Sequence, residues 1–191
     1  MKKVIIIGAS GSLASYVIEA IEKLKDVQLT LFVRSKKKLR QSIADKHHII
    51  EGDAMNFNML RDAIAGRDIV YINLAGNLET MARNIVKAMV ENGVKRVIAI
   101  SSIGIYEKPL RSILIPYRKL ADVIEDSGLN YTILRPDWFT DGNEIDYALT
   151  KKGEPETGTA ISRKSIAAFV ALLIEKPDLH VNENLGISRP H

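Results

Sequence analysis

The sequence predicts an α/β fold: a single doubly wound domain with a mostly parallel sheet and helices on both faces. Short apolar segments typical of strands alternate with longer amphipathic segments typical of helices along most of the chain. This alternation favours parallel strands, because each crossover helix covers one face of the sheet. The length of 191 residues suits one domain, and neither a repeat nor a linker divides the chain.

Six strands and five helices alternate before the sequence reaches its last third. The strands are predicted at residues 4–7, 28–33, 48–51, 69–73, 96–101 and 130–134. The helices are predicted at residues 13–24, 37–44, 55–65, 78–92 and 113–126. Gly66, Gly93 and Gly128 each follow a predicted helix, at the position where a left-handed residue commonly ends a helix.

The last third of the chain has a less regular pattern. Residues 145–150 and 159–162 are candidate short strands, and residues 166–175 are predicted to form an apolar helix that ends before Pro177. Ser162 or Ser165 is the candidate N-cap of this helix. Loops at the carboxyl ends of parallel strands line the crevice of such sheets, so we expect residues 136–165 to contribute the substrate side of the domain.

Composition excludes several kinds of site. The chain has no cysteine, which rules out disulfides, cysteine metal sites and thiol catalysis. His47 and His48 are adjacent, a spacing that gives no pair of metal ligands, and we expect no metal site. The apolar run at residues 4–7 is too short for a signal-peptide core, and no segment approaches the length of a membrane span. We therefore expect a cytoplasmic protein without membrane contact.

The charge of the chain is basic, with a formal net charge of +4 and a sequence pI of about 9.2. The one dense basic cluster, at residues 34–40, lacks the interleaved aromatic residues that nucleic-acid sites use. A solvated loop and helix start is the usual state of such a run, although a phosphate site on a cofactor is the preferred interpretation of Arg34, and we expect no nucleic-acid partner.

A glycine turn follows the first predicted strand directly. The turn has the spacing Gly-x-x-Gly-x-x-Ala, formed by Gly8, Gly11 and Ala14, and it opens a predicted amphipathic helix. The first glycine allows a tight turn, the second lets backbone amides approach a pyrophosphate, and the alanine lets the helix pack closely on the strand. This context predicts a dinucleotide site; an ordinary strand-to-helix turn is the alternative. The predicted binding residues in the turn are Gly8, Ser10, Gly11, Ser12 and Leu13.

The order of motifs resembles the short-chain dehydrogenase/reductase superfamily in its atypical, NmrA-like NAD(P)-binding branch. Residues 8–14 match the glycine motif of the branch, and residues 52–54 match its Gly-Asp-hydrophobic segment after the third strand. Residues 73–76 and 100–102 resemble the ends of its fourth and fifth strands, and residues 127–136 closely match its sixth-strand signature. The resemblance implies one NAD(P)-binding Rossmann domain spanning residues 1–191.

The resemblance also implies which further residues bind the nicotinamide dinucleotide. These are Asp53, Ala54, Asn73, Ala75, Gly76, Ser101 and Pro136. Asp53 is expected to contact the adenine amino group; the alternative is a turn carboxylate that bonds its own backbone. Ser102, at the end of the fifth strand, is the candidate for a substrate hydrogen bond, unless it and Ser101 only satisfy nearby backbone groups. Trp138 or Phe139 is expected either to wall a flat apolar substrate site or to fill the core.

Arg34 indicates which nicotinamide dinucleotide the site prefers. NAD-selective sites carry Asp or Glu about 20 residues after the glycine turn, to bond the ribose 2′-hydroxyl. Arg34 stands 23 residues after Gly11, and no carboxylate lies among residues 32–35. An arginine there suits a 2′-phosphate, and Ser35 adds a hydroxyl donor. Lys37 or Lys38 is expected either to help bind the 2′-phosphate or to lie on a solvated face. We therefore predict NADP (NADPH) in preference to NAD.

The sequence departs from the superfamily at the catalytic pair. Catalytic members use Tyr-x-x-x-Lys on the helix before the sixth strand, where the lysine lowers the pKa of the tyrosine. Counting back from the sixth-strand signature puts Ile113 near the tyrosine position and Tyr117 near the lysine position. Lys119 lies two residues after Tyr117, on a different side of the helix. Tyr117 and Tyr106 remain candidate proton donors, each with an ordinary structural role as the alternative.

Two functions are consistent with these observations. The first is an NADPH-dependent reductase of a small conjugated or aromatic acceptor, which can take its proton from water. The second is a non-catalytic NAD(P)-binding sensor that acts through a protein partner, as the loss of the Tyr–Lys pair suggests. An epimerase or dehydratase of a nucleotide sugar fits poorly, because these enzymes normally use that pair. The sequence predicts neither the substrate nor the oligomeric state.

Overall fold

The structure, a computed structural model, describes residues 1–190 and is built on one large sheet. The strands are β1 (Lys2–Ile7), β2 (Val27–Val33), β3 (His48–Glu51), β4 (Ile69–Ile72), β5 (Arg96–Ile100), β6 (Asn130–Pro136), β7 (Phe139–Thr140), β8 (Ala148–Lys151), β9 (Ile161–Ser162) and β10 (Glu183–Ser188). The helices are α1 (Ser12–Ile21), α2 (Gln41–Ala44), α3 (Phe57–Ile64), α4 (Leu78–Glu91), α5 (Ile115–Glu125) and α6 (Arg163–Glu175). Short 3₁₀ turns at Lys36–Lys38 and Ser112–Leu114 precede α2 and α5.

The large sheet has eight strands in the order β3-β2-β1-β4-β5-β6-β10-β8. All neighbouring strands are parallel except β8, which is antiparallel to β10. Strands β7 and β9 form a small separate parallel pair. The direction of the strand order reverses between β1 and β4, so their carboxyl ends open a crevice where ligands bind in folds of this kind. The predicted doubly wound, mostly parallel sheet is confirmed.

Helices cover both faces of the sheet, and each face has its own apolar core. Helices α1 and α6 pack together over one face, where Phe169 and Leu13 are buried. Helices α3, α4 and α5 cover the other face, where Ile85 and Leu120 are fully buried. The strands between the two cores are apolar on both sides, as in Val4–Ile7 of β1, which explains why they read as continuous apolar runs. None of the helices within residues 1–190 is both long and apolar enough to cross a membrane.

The six predicted strands are confirmed, and so are the glycines predicted to end helices. Gly66, Gly93 and Gly128 have φ values of +69°, +68° and +72°, as left-handed residues at helix ends require. The Ser162 hydroxyl accepts a hydrogen bond from the Ser165 amide, so Ser162 is the N-cap of α6. Of the two irregular segments predicted as strands, the first forms β8 near its carboxyl end and the second contains β9.

Two features differ from the sequence-based expectation. The predicted helix at residues 37–44 is interrupted, because Leu39 and Arg40 are extended between the 3₁₀ turn and α2. Strand β10 was not predicted, yet it adds a seventh parallel strand beside β6. Its polar residue Asn184 is buried at 4% exposure and bonded to distant side chains, so no local pattern marks it.

Candidate functional site

Turns at the carboxyl ends of strands β1 to β6 line a cavity of about 1000 Å³. This is the position where open α/β sheets bind their ligands. The cavity is lined by every predicted dinucleotide-binding residue except Ser35, and by the candidate catalytic residues Ser102 and Tyr117. Those in the lining are Gly8, Ser10, Gly11, Ser12, Leu13, Arg34, Asp53, Ala54, Asn73, Ala75, Gly76, Ser101, Ser102, Tyr117 and Pro136.

The turn between β1 and α1 requires glycine at two positions. Gly8 has φ +91°, and a Cβ added there would lie 2.0 Å from the Asn73 carbonyl oxygen. A Cβ added at Gly11 would lie 2.8 Å from Asn73 Nδ2. The turns after β1 and β4 therefore touch at the switch point of the sheet. Their small residues keep the cavity open above this contact.

The first turn of α1 presents free amides to the cavity. Gly11 is the N-cap and offers no capping side chain, while its own amide and that of Ala14 bond within the turn. The amides of Ser12 and Leu13 have no hydrogen-bond partner among residues 1–190. Unpaired amides and the positive end of the helix dipole together attract anions. This end of the cavity therefore fits a pyrophosphate.

Two basic side chains line the cavity beyond β2. Arg34 is exposed and Lys38 follows it in the 3₁₀ turn, and within the described residues neither side chain has a hydrogen bond or an ion pair. Lys37 is exposed and lies outside the cavity lining. An unpaired guanidinium and an unpaired ammonium that line one cavity suit a phosphate group.

Asp53 follows β3 at the same end of the cavity. Its Oδ1 accepts a hydrogen bond from the Met55 amide at 2.9 Å, so the carboxylate organises its own turn. Asp53 also lines the cavity, and its second oxygen has no bonded partner among residues 1–190. The structure is therefore compatible with both interpretations of this residue.

The serines at the end of β5 bond backbone carbonyls. Ser101 is buried and its hydroxyl donates to the Tyr117 carbonyl at 3.0 Å, which ties β5 to α5. The Ser102 hydroxyl donates to the Ile103 carbonyl at 3.1 Å. Both residues line the cavity, and each hydroxyl oxygen retains lone pairs that can accept a further hydrogen bond.

Tyr117 lines the cavity without a lysine neighbour. The residue one helical turn later is Ala121, which is fully buried, and Lys119 is exposed and outside the lining. Lys38 is the one lysine among the cavity-lining residues described, and it belongs to the end near β2. The lysine of the usual proton relay is therefore missing from this site.

The structure does not bring Tyr106 into the cavity. The Tyr106 hydroxyl accepts a hydrogen bond from Asn184 Nδ2 at 2.8 Å, within a polar cluster behind the site. Burial, and next the negative charge of Glu125, raise the pKa of Tyr106 above its usual value. Both its position and its acidity disqualify Tyr106 as a donor to a ligand in the cavity.

The end of the cavity near β5 and β6 has apolar walls. Trp138 is 76% exposed and Ile113 is 73% exposed, and both line the cavity together with the partly exposed Phe139. Trp138 therefore belongs to the cavity surface, not to the core. Arg111 also lines this end and was not anticipated, since it lies in a loop without a recognisable motif.

Known proteins match this chain over nearly its whole length. A family model described as NAD(P)H-binding matches residues 8–177. The structure of a Rossmann-fold NAD(P)-binding family protein from Shigella flexneri is 44% identical, with a TM-score of 0.91, over 100% of this chain and 94% of that chain. A short-chain dehydrogenase/reductase of the wide type from Veillonella parvula, solved with NADP, is 25% identical, with a TM-score of 0.88, over 99% and 95% of the two chains.

A more distant structure shares the fold alone. It is an anaerobilin reductase from Escherichia coli O157:H7, 17% identical, with a TM-score of 0.84, over 99% of this chain and 98% of that chain. The family match and the 44% identical relative agree with the glycine turn, the free amides of α1 and the position of the cavity. The chain therefore belongs to the NAD(P)H-binding family of Rossmann-fold proteins related to atypical short-chain dehydrogenases/reductases, and its cofactor is a nicotinamide dinucleotide.

Proposed function

We propose that the protein is an NADPH-dependent reductase of a small conjugated or aromatic acceptor. The observation that carries this proposal is that the glycine turn after β1 and the apolar walls near β6 line the same cavity. A bound reduced nicotinamide supplies a hydride, and the acceptor completes its reduction with a proton from water. The anaerobilin reductase shares the fold and is a reductase by name, which supports the proposal.

The residues of the chain divide between cofactor and acceptor in this proposal. The amides of Ser12 and Leu13 hold the pyrophosphate, and the second oxygen of Asp53 accepts from the adenine amino group. Asn73, Ala75, Gly76, Ser101 and Pro136 line the path from the pyrophosphate to the nicotinamide. Residues 136–165 supply the acceptor side of the single domain, where Trp138 and Phe139 form its wall.

NADP is preferred over NAD because the basic residues near β2 are free. Arg34 and Lys38 line the cavity without partners within residues 1–190, and no carboxylate stands among residues 32–35 at the end of β2 to bond a 2′-hydroxyl. We expect Arg34→Gln to weaken NADPH binding about tenfold to hundredfold, the range of a charge-assisted hydrogen bond, and to leave NADH binding unchanged. Lys37→Gln, which removes the same charge outside the cavity, is the control. Tighter binding of NADH than of NADPH by the natural protein would refute the preference.

The chain can contribute hydrogen bonds but no efficient proton donor. Ser102 can accept a hydrogen bond from the acceptor, since its own proton is already used on Ile103. Tyr117 can donate from its hydroxyl, but at neutral pH a tyrosine without a lysine neighbour is a weak acid. Acceptors whose reduced form takes its proton from water avoid this limitation, which is why quinones and other conjugated molecules fit the site best.

The test is NADPH oxidation followed at 340 nm with a panel of quinones, flavins and conjugated carbonyl compounds. We expect turnover of at least one planar acceptor, and we expect Trp138→Ala to raise its KM more than it lowers kcat. Tyr117→Phe is expected to leave most of the activity with quinones, because water supplies the proton. No oxidation of NADPH by any acceptor would refute the reductase.

A non-catalytic sensor is the second candidate. The observation that favours it is the absence of a lysine beside Tyr117 among the cavity-lining residues described. A sensor would bind NADP and NADPH without turnover and would change its affinity for a protein partner with the redox state. Recovery of the same partner with and without each dinucleotide would count against this function.

A further inference from the structure

The charged side chains that line the cavity are not equally available. Each of the two carboxylates accepts one backbone amide: Asp53 accepts from the Met55 amide, and Asp137 accepts from the Trp138 amide at 2.6 Å. The three cations of the lining are Arg34, Lys38 and Arg111, and none of them pairs with either carboxylate. Within residues 1–190, the lining therefore carries three positive and two negative side chains.

Arg111 lies at a different end of the cavity from the other two cations. Arg34 and Lys38 follow β2, whereas Arg111 lies between β5 and α5. The ends of β2 and β5 are separated by β1 and β4, a distance of about 14 Å at ordinary strand spacing. A phosphate held at Arg34 therefore leaves Arg111 for another anionic group.

The guanidinium of Arg111 has only a weak partner. Its Nε lies 4.0 Å from Glu107 Oε2, and the two side chains are 56% and 60% exposed. An exposed pair at this distance contributes little and is easily exchanged for a better one. A planar carboxylate that accepts two parallel N–H bonds from the guanidinium would be such a partner.

Large apolar side chains surround the same end. Ile113 and Trp138 are mostly exposed although they line a cavity, and an exposed apolar surface of this kind marks a ligand site. The neighbouring Phe139 is held in place, because the Arg163 guanidinium lies 5.2 Å from its ring centroid and pairs with Asp141 at 2.7 Å. The wall is therefore fixed on one side and open to a flat ligand on the other.

We propose that this end of the cavity binds planar, apolar molecules that carry a carboxylate, with the carboxylate on Arg111 and the ring against Trp138 and Ile113. The inference rests on the proposed function in one respect: the bound molecule is the acceptor only if the protein is a reductase. It concerns binding, however, and can be measured without turnover. The ligand class is thus an aromatic or quinonoid carboxylate.

The sole tryptophan of the chain gives a direct measurement. Trp138 is the only fluorophore of its type, so its emission reports on ligands at this wall. The protein is saturated with NADP⁺, which prevents reduction, and titrated with 1,4-naphthoquinone-2-carboxylate and with the matching carboxamide. We expect the carboxylate to bind about tenfold more tightly than the carboxamide, as a charge-assisted bidentate contact predicts.

Three variants assign the difference to Arg111. Arg111→Gln should remove the preference for the carboxylate, and Arg111→Lys should restore part of it. Glu107→Gln, which removes the weak partner, should tighten carboxylate binding. Arg83→Gln removes the same charge from an exposed position on α4 outside the cavity and should change nothing. Retention of the natural preference in Arg111→Gln would overturn the inference.

The experiments distinguish failure of the carboxylate site from failure of the proposed reductase function. Equal binding of carboxylate and carboxamide, with NADPH oxidised by both quinones, would refute the anion site and leave the reductase standing. Carboxylate binding that depends on Arg111, with no NADPH oxidation by either quinone, would establish the site and refute the reductase.

Discussion

Gly8 is fixed by two separate constraints, its backbone conformation and its contact with the next turn of the site. Its φ of +91° disfavours any side chain, and an added Cβ would lie 2.0 Å from the Asn73 carbonyl oxygen. Gly66 shares the first constraint only, since its φ is +69° and no atom lies within 4 Å of an added Cβ. Substitutions at Gly8 and Gly66 therefore separate the free-energy cost of a left-handed backbone from the cost of steric overlap.

Gly8→Ala is expected to destabilise the protein more than Gly66→Ala. The left-handed conformation costs an alanine about 1 to 2 kcal/mol, which is the full expected effect at Gly66. At Gly8 the overlap with the backbone of Asn73 raises the expected loss to about 3 kcal/mol or more. Urea unfolding of both variants measures the difference, and dinucleotide titration should show lost binding for Gly8→Ala alone. Equal unfolding midpoints would contradict the steric argument.

Tyr71 carries a buried hydroxyl that the fold does not satisfy. Its side chain is fully buried on β4, and within residues 1–190 its oxygen has no hydrogen-bond partner. Tyr71→Phe removes this unpaired group, so we expect the free energy of unfolding to rise by about 1 kcal/mol at neutral pH. Tyr16→Phe is the control, because the Tyr16 hydroxyl bonds Asp141 at 3.3 Å and lies at the surface. A destabilised Tyr71→Phe would indicate an internal water or another partner for the hydroxyl.

The stability difference between the natural protein and Tyr71→Phe should also depend on pH. Burial raises the pKa of Tyr71 far above 10, whereas the tyrosine of the unfolded chain ionises near pH 10. Above that pH unfolding releases a proton, so the natural protein loses stability as pH rises, by about 1.4 kcal/mol per pH unit. Tyr71→Phe lacks this loss, and its advantage in unfolding free energy should widen between pH 10 and 11. Parallel stability curves for the two proteins would contradict the assignment.

Strand β10 is held beside β6 by a cluster of buried polar side chains. Arg135 on β6 is 1% exposed, and its guanidinium bonds both the carbonyl and the side chain of Asn184 on β10. Its Nε also bonds Glu156 Oε1 at 2.7 Å, and Glu156 Oε2 accepts from the Gly104 amide. One carboxylate thus connects β6 with the segment before β9 and with the loop that leads to Arg111.

Glu156→Gln is expected to lower the free energy of unfolding by about 1.5 to 3 kcal/mol, the usual value of a hydrogen bond to a charged group. The physical reason is that the buried Arg135 loses its counter-charge. Glu154→Gln is the matched control, because Glu154 is exposed and bonds only the amide of Lys151 in its own turn. Urea unfolding distinguishes the two variants, and equal unfolding free energies would show that Asn184 alone satisfies Arg135.

The same cluster explains which elements sequence patterns could predict. Strands β1, β2, β4, β5 and β6 are rich in apolar residues and mostly buried, so their burial is visible in the sequence itself. Strand β10 contains Glu183, Asn184 and Gly186, and the partners of Asn184 lie 49 residues away at Arg135 and 59 residues away at Glu125. The helix predicted at residues 37–44 is interrupted at Leu39 and Arg40, and the run of like charges from Lys36 to Lys38 before them gives a helix no support.

In the molecule as a whole, the sequence predicts the residues at the dinucleotide end of the cavity better than those at the end near β5 and β6. Arg34 and the glycine turn lie directly after strands, so the sheet fixes where they meet. Arg111 lies in a loop of more than ten residues between β5 and α5, and its approach to Trp138 depends on how that loop packs. The predicted roles of the cavity residues remain predictions to be tested by binding.

Cofactor binding should stabilise the entire fold, because the cavity joins turns from six strands. A ligand at one hundred times its Kd adds about 2.7 kcal/mol to the unfolding free energy. For a domain of this length that corresponds to a rise of about 5 to 10 °C in Tm. We expect this rise with NADPH, a smaller one with NADH at equal concentration, and none with NADPH for Gly8→Ala. Since the turns after β2 and β6 are held by one ligand, amide exchange should slow at both Arg34 and Trp138; protection confined to the β1–α1 turn would mean that the dinucleotide does not extend along the cavity.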